Sequence, residues 1–365
     1  MKTLTTQQLQ DILNIPDLTN TPGHCINLML QEIESHLSKL NVDIQTKRYS
    51  PITTIEDNYD KLYYPQTDVT KSSIYTRYVD STNILRTQTT SGIPRLLKEI
   101  TSDDSIYLLP GMVYRRDVID RTHVGEPHQL DIWRISNKKK YTRQDLLELV
   151  ELVIDAVLPG SVWRYNETNH HYTQDGIEVE VLKDGKWLEI LECGLILPRL
   201  LDDNGLDSNV WSGLAMGIGL DRSVMIRKNI DDIRILRSGD PRIINQMCNL
   251  DVYKPVSSYP LIRKDLSIAI DKLYDIELIG DLIRTNVKNV EWIEEIKIKS
   301  ETNYEDLPPH VSERLGMDSS MKNILIGLLI RSIDRNLTTL EVNSIMEDLY
   351  VKIHSGKRGY LKHQT

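Results

Sequence analysis

The chain has 365 residues, 40% of them hydrophobic and 27% charged, with a formal net charge of −9. That length is enough for two domains and a large core, and the acidic balance argues against wholesale non-specific nucleic-acid binding while leaving room for a local basic face. No apolar run approaches the roughly 18 residues that cross a bilayer, so no membrane partner is expected.

The start, MKTLTTQQLQDILNIPD, carries one Lys and no Arg. It has neither a signal-peptide nor an Arg-rich transit pattern, so a cytoplasmic location is expected. Residues 26–37 place Ile26, Leu30, Ile33 and Leu37 on one helical face. Residues 57–92 read as irregular, with turn-prone DNYD and YYPQTD. Residues 142–157 predict an amphipathic helix capped by Thr142. Strands are predicted at 178–182 and 186–197, and a helix is expected after Gly213. This mixture predicts an α+β domain with an antiparallel sheet. DVYKPVSSYP (251–260) reads as a linker, placing the domains at 1–255 and 256–365. Beyond it RKDLSIAI, DIELIGDLIRTNV, VEWIEEIKIK, KNILIGLLIRSI and LTTLEVNSIMEDLYVKIH predict a β-α-β-β-α order. A last strand at Arg358–Lys362 would complete a ferredoxin-like βαββαβ domain. Cys25, Cys193 and Cys248 are isolated and no CxxC occurs, which argues against a disulfide framework or structural zinc.

Three constellations carry chemistry. GMVYRRDVIDRTHVGEPHQLDIWRI (111–135) concentrates Arg115, Arg116, His123, Gln129 and Asp131. Arginine's planar fork matches phosphate oxygens and stays charged. Gln129 and Asp131, two apart on a strand, point the same way and offer acceptors to an ammonium group. In WSGLAMGIGLDRSVMIRK (211–228), Gly213, Gly217 and Gly219 permit close backbone approach and Arg222 follows at a helix start. The spacing is neither a Rossmann fingerprint nor a P-loop. Glu178, Glu180, Glu189 and Glu192 form an acid cluster, and carboxylates beside phosphate-binding arginines are natural Mg²⁺ ligands.

Together these segments resemble the class II aminoacyl-tRNA synthetases, specifically the phenylalanyl-tRNA synthetase α-subunit family. YRRDVIDRTH…HQLD is similar to that family's YRxDxxDxTHxxxFHQxE, and GLAMGIGLDR to its GxAxGxGxER. LRTQTT (85–90) resembles LRTHTS, and GKWLEILECG resembles GxWLEVxGCG. His24–Leu37 stands where the dimer-interface motif belongs, with Cys25 in place of its usual proline. PLIRKDLSIAI and LTTLEVN resemble the ferredoxin-fold anticodon-binding domain. Both domains on one chain resemble the organellar single-chain form.

The resemblance implies ATP-dependent activation of an amino acid as an aminoacyl-adenylate, then transfer to tRNA. Arg115 would hold the α-phosphate, and Arg222 the γ-phosphate of a bent ATP, with His123 assisting. Gly217 and Gly219 would lie against ATP. Glu189 or Glu192 would help to bind Mg²⁺, and Gln129 and Asp131 the substrate ammonium. Thr90, His170, Tyr172 and Ala215 would complete the amino-acid site. The substrate carboxylate is already a nucleophile, so catalysis is positioning plus electrostatics. The partners implied are ATP, an amino acid and tRNA, with either a homodimer or a monomer. KIHSGKRGYLKHQ is locally basic, and its Tyr360 suits stacking on anticodon bases.

The chain departs from the family at specificity positions. His170-His171-Tyr172 replaces a Phe-Pro-Phe loop, Asp131 shortens a Glu, Gln88 replaces a His, Pro127 a Phe and Thr90 a Ser. Ala215 keeps the small pocket floor. Two adjacent histidines also raise a metal reading, although neighbours on a strand point apart. The chain contains no Phe at all, where its length would carry on the order of ten or more. An enzyme that supplies Phe to translation and needs none itself can be made during Phe starvation. Its synthesis should therefore proceed in a Phe-depleted translation extract, and failure there would sink the idea. The amino acid stays open at this level, as do two alternatives. One is a synthetase paralogue activating a different amino acid for a small molecule or carrier. The other is a non-catalytic RNA-binding relative.

Overall fold

The computed structural model describes residues 3–256 and 259–357. The chain forms two compact units. The first comprises Met1–Arg115, Glu126–Ile230 and Asn245–Lys254; the second comprises Arg116–Gly125, Asp231–Ile244 and Pro255–Thr365.

The first unit is a mixed α+β structure built on a seven-stranded sheet. Its strands are β1 (Asp43–Thr46), β2 (Asp104–Met112), β3 (His128–Ser136), β4 (Trp163–Glu167), β5 (Thr173–Lys183), β6 (Lys186–Ile196) and β7 (Ser212–Gly219). They lie in the order β1-β2-β3-β7-β6-β5-β4. The β1–β2 pair is parallel, and every other neighbour is antiparallel. β2 and β3 are buried along nearly their whole length, which explains their apolar runs rather than strict alternation.

Helix α1 (Cys25–Leu37) buries Ile26, Leu30, Ile33 and Leu37, the face read from spacing. It packs against α2 (Arg143–Val157) and α3 (Leu220–Lys228). At the start of α2, the Thr142 hydroxyl accepts from the Asp145 amide while Asp145 reaches back to the Thr142 amide. Such a box satisfies donors that a helix start leaves open. Thr142→Ala should lower stability by about 1 kcal/mol, read as a reduced denaturation midpoint.

The helix expected after Gly213 comes later than its glycines suggest. Ser212–Gly219 is a strand, and the helix begins only at Leu220. β7 lies between β3 and β6, and ladder bonds on both sides outweigh local preference. Gly213 is needed there, because a Cβ would fall 2.5 Å from the Arg134 carbonyl oxygen and 2.5 Å from Ile196 Cδ1.

The second unit runs β8 (Ile262–Asp271), α4 (Ile276–Asn286), β9 (Ile293–Asn303), β10 (Met321–Ile330) and α5 (Thr339–Ile353). Its three strands are antiparallel in the order β8-β10-β9. Ile268, Ile279, Ile283, Ile324, Ile326 and Leu349 fill its core. Residues 116–125 join this unit: Ile119 enters the core, and its carbonyl accepts from the Ile296 amide at 2.9 Å. The Arg284 guanidinium donates to the Asp117 and Val118 carbonyls. The strand expected at Arg358–Lys362, with Tyr360, lies outside the described residues.

Candidate active site

The site of the first unit is laid out by strand register. Asp131 stands opposite Gly217, Gln129 opposite Gly219, and Trp133 opposite Ala215. On the other side of β7, Glu192 faces Gly217 and Gly194 faces Ala215. Residues directly opposite share a sheet face. Gln129, Asp131, Ala215, Gly217, Gly219 and Glu192 are therefore brought together on one surface.

The two glycines make that surface open. A Cβ on Gly217 would meet only Asp131 Oδ1, at 3.8 Å, and one on Gly219 would meet nothing within 4 Å. Packing requires neither glycine, unlike Gly213. What they provide is a bare patch of backbone on which a flat group can lie.

Charged side chains border the patch. Arg222, the third residue of α3, is exposed. Its guanidinium donates to the Glu189 carbonyl at 3.3 Å and lies 3.9 Å from the Glu189 carboxylate. Arg115 is exposed and donates through Nε to the Thr87 carbonyl at 2.8 Å. Burial and then the negative charge of Glu192 raise the Glu189 carboxyl above its ordinary range, while Arg222 and Arg115 oppose that rise. Glu192 is held below the ordinary range, chiefly by the neighbouring His170 imidazole. His170 Nε2 lies 3.1 Å from its carboxylate.

Asp131 is 4% exposed. It accepts from Thr89 Oγ1 at 2.7 Å and Trp133 Nε1 at 3.2 Å. Burial pushes its carboxyl above the usual range, and bonds from Thr90, Thr89 and Trp133 resist that. A raised folded-state value favours folding below the unfolded value of about 3.9; this contribution is lost as pH rises through the folded value. Asp131→Asn should abolish that component. Melting temperatures of the two proteins should converge on acidification; parallel pH profiles would overturn the assignment.

Asp131, Trp133, His170, Tyr172, Glu192 and Ala215 are among the residues lining a small cavity of about 30 Å³. The Tyr172 ring stacks on Trp133, with centroids 6.1 Å apart and an interplanar angle of 23°. Burial raises the Tyr172 phenol, so it stays protonated and can donate. The neighbouring His171 points elsewhere: its ring packs on Tyr64, with centroids 4.7 Å apart. Among the described residues no group of three potential metal ligands forms, at 170–171 or elsewhere.

Several placements differ from the sequence expectation. His123 belongs to the second unit, where Nδ1 contacts the Asp120 carboxylate at 2.8 Å. Glu180 stands opposite Glu189 in the β5–β6 ladder, but its carboxylate is engaged by Arg164 at 2.7 Å and by Asn166 at 3.1 Å. Sequence reasoning missed Thr89, whose hydroxyl donates to Asp131 at 2.7 Å, because Thr89 and Thr90 are indistinguishable until the turn is folded. It also missed Arg86, 6% exposed, whose Nε donates to the Met112 carbonyl at 2.8 Å. The third omission is His128 with Asp221, each standing one residue before a motif residue that was named.

Comparison with known proteins bears on this arrangement. Residues 11–247 match the family described as tRNA synthetases class II core domain (F). A phenylalanine–tRNA ligase, chloroplastic/mitochondrial, of Arabidopsis thaliana is 31% identical over 310 residues, covering 81% of this chain and 68% of that protein. A probable phenylalanine–tRNA ligase, mitochondrial, of Drosophila melanogaster is 26% identical, covering 82% and 75%. The phenylalanine–tRNA ligase alpha subunit of Histophilus somni strain 2336 is 30% identical, covering 61% and 67%. The expected cytoplasmic location is overturned by the organellar names of the Arabidopsis and Drosophila relatives. It rested on the composition of the first residues, whereas location is read from dispensable targeting segments and leaves no mark on a folded core. With its glycine-floored antiparallel sheet flanked by Arg115 and Arg222, the chain belongs to the class II tRNA synthetases, in the family of the phenylalanine–tRNA ligases, and is a ligase.

Proposed function

We propose that this ligase condenses ATP with phenylalanine into an aminoacyl-adenylate and transfers the acyl group to tRNA. The observation carrying this is the bare backbone at Gly217 and Gly219, bordered by two exposed arginines on a family-matching sheet. A nucleotide base can lie on the glycine patch while Arg115 and Arg222 meet phosphate oxygens. Attack of the amino-acid carboxylate on the α-phosphate builds negative charge, which fixed guanidinium groups stabilise. Gln129 presents an acceptor to the ammonium group, and Asp131, already bonded to Thr89 and Trp133, supplies buried negative charge behind it.

Glu189 and Glu192 suit Mg²⁺. They are close enough for the Glu192 charge to raise the Glu189 carboxyl, and a divalent ion would relieve that repulsion. Mg²⁺ commonly takes one or two carboxylates plus substrate phosphates. When bound, it would neutralise phosphate charge. The polar pocket wall, Tyr172 and His170, distinguishes this chain from the Phe-Pro-Phe pattern its sequence resembles.

The 1–255 region is the catalytic domain on this reading, and 256–365 a ferredoxin-like anticodon-binding domain. The β-α-β-β-α order and the β8-β10-β9 arrangement support the latter. The family admits a homodimer through residues 24–37, or a monomer. Amino-acid-dependent ATP–pyrophosphate exchange across the standard amino acids, with and without tRNA, tests the reading. Exchange with Phe and charging of tRNA are expected. Exchange without charging would indicate a paralogue with another acceptor, and no exchange a non-catalytic relative.

A further inference from the structure

A buried imidazole stands where three segments of the first unit meet. His128 is fully buried and Asp221 is 3% exposed. The His128 backbone amide donates to Asp221 Oδ2 at 2.5 Å, and His128 Nδ1 lies 3.1 Å from the same oxygen and 3.2 Å from Oδ1. On the far side of the ring, the Leu18 amide donates to His128 Nε2 at 3.0 Å. That bond assigns the tautomer. Nε2 must be the bare, accepting nitrogen, so Nδ1 carries the proton and donates to Asp221. Leu18 begins a short turn capped by Asp17, which accepts from the Thr19 amide; Asp17 also lies 3.9 Å from Nε2.

The location gives this network a consequence for the site. The β3–β7 ladder ends at the Gln129–Gly219 pair. Past that pair β7 turns into α3, and the ladder no longer controls where Arg222 lies relative to Gln129. The His128–Asp221 bonds take over at that point, joining the residue before Gln129 to the residue before Arg222. We infer that His128 and Asp221 are positioning residues that hold Arg222 and Gln129 in mutual register for ATP and amino acid. The third bond, from Leu18, anchors the same imidazole to the segment leading into α1. This inference rests on the nucleotide role of Arg222 proposed above.

Four variants of the full chain test it in amino-acid-dependent exchange, with thermal melting alongside. His128→Asn keeps a side-chain N–H near the Nδ1 position and should retain activity within about threefold. His128→Gln reaches instead toward Leu18 and loses the bond to Asp221. It should raise the KM for ATP and lower kcat, together on the order of 10–100-fold, the range for partners that orient a contacting residue. Asp221→Asn should behave like His128→Gln. In an Arg222→Ala background, His128→Gln should add about twofold or less to the loss of ATP affinity, because the residue it positions is gone. Equal impairment of the Asn and Gln variants at unchanged melting temperature would overturn the inference. So would independent, multiplicative losses in the double variant. Full exchange by Arg222→Ala alone would instead refute the ATP assignment, whatever the His128 variants do.

Discussion

Replacing Arg222 by alanine is expected to reduce amino-acid-dependent ATP–pyrophosphate exchange by about 10²–10³-fold while leaving the melting temperature nearly unchanged. The guanidinium is exposed, and its contacts are a 3.3 Å bond to the Glu189 carbonyl and a 3.9 Å approach to its carboxylate. An exposed ion pair contributes little to folding, so the side chain is free to serve a ligand. Its absence would leave phosphate charge uncompensated in the transition state. It would also remove one of the two guanidinium groups that offset the rise in the Glu189 carboxyl, so the pH dependence of residual exchange should shift upward on its acidic limb. Lysine at this position should recover only part of the rate, because a point charge cannot reproduce the planar fork. Exchange at the unsubstituted rate in Arg222→Ala would remove the residue from the nucleotide site.

The second large effect is expected at the glycine patch. Gly217→Val should fold, since its Cβ meets nothing closer than Asp131 Oδ1 at 3.8 Å. Exchange should nevertheless fall by at least about 100-fold, with the loss mainly in ATP affinity, because branched methyl groups would lift a flat ligand off the strand by an ångström or more. Gly219→Val should behave in the same way. Gly213→Val supplies the contrast. Its Cβ has backbone and side-chain atoms at 2.5 Å, so it should lower stability first, and activity only as a consequence. Denaturant unfolding and ATP titration of the three variants separate the two kinds of glycine. A strongly destabilised Gly217→Val would show that the patch serves packing after all.

Much of the secondary structure could be read from local pattern. The face Ile26, Leu30, Ile33 and Leu37 is buried as its spacing requires, and Thr142 caps its helix as a hydroxyl before an acidic first turn should. These features depend on neighbours three or four residues away, which the sequence displays directly. The β7 strand is not legible locally, because residues 213–219 carry no period of their own. Its extended form follows from bonds to β3 and β6, which come from distant parts of the chain.

The candidate site divides along the same line. Residue types alone marked Arg115, Gln129, Asp131, Arg222 and the glycines, because phosphate and ammonium ligands demand particular chemistry wherever they are held. Sequence could not show that Glu192 is engaged by His170, that Thr89 donates to Asp131, or that His171 turns toward Tyr64. Nor could it assign residues 116–125, Arg116 and His123 among them, to the second unit. Spacing along a chain reports which side chains share an element, whereas the partner of a buried charge is set by strand register and by turns that close across more than a hundred residues. His128 makes the point most sharply. By itself it is one histidine among nine; only the folded chain puts Leu18 on one ring nitrogen and Asp221 on the other. The reaction class was thus determined by side-chain chemistry in the sequence, and the alignment of the groups performing it by long-range hydrogen bonds that only the tertiary structure supplies.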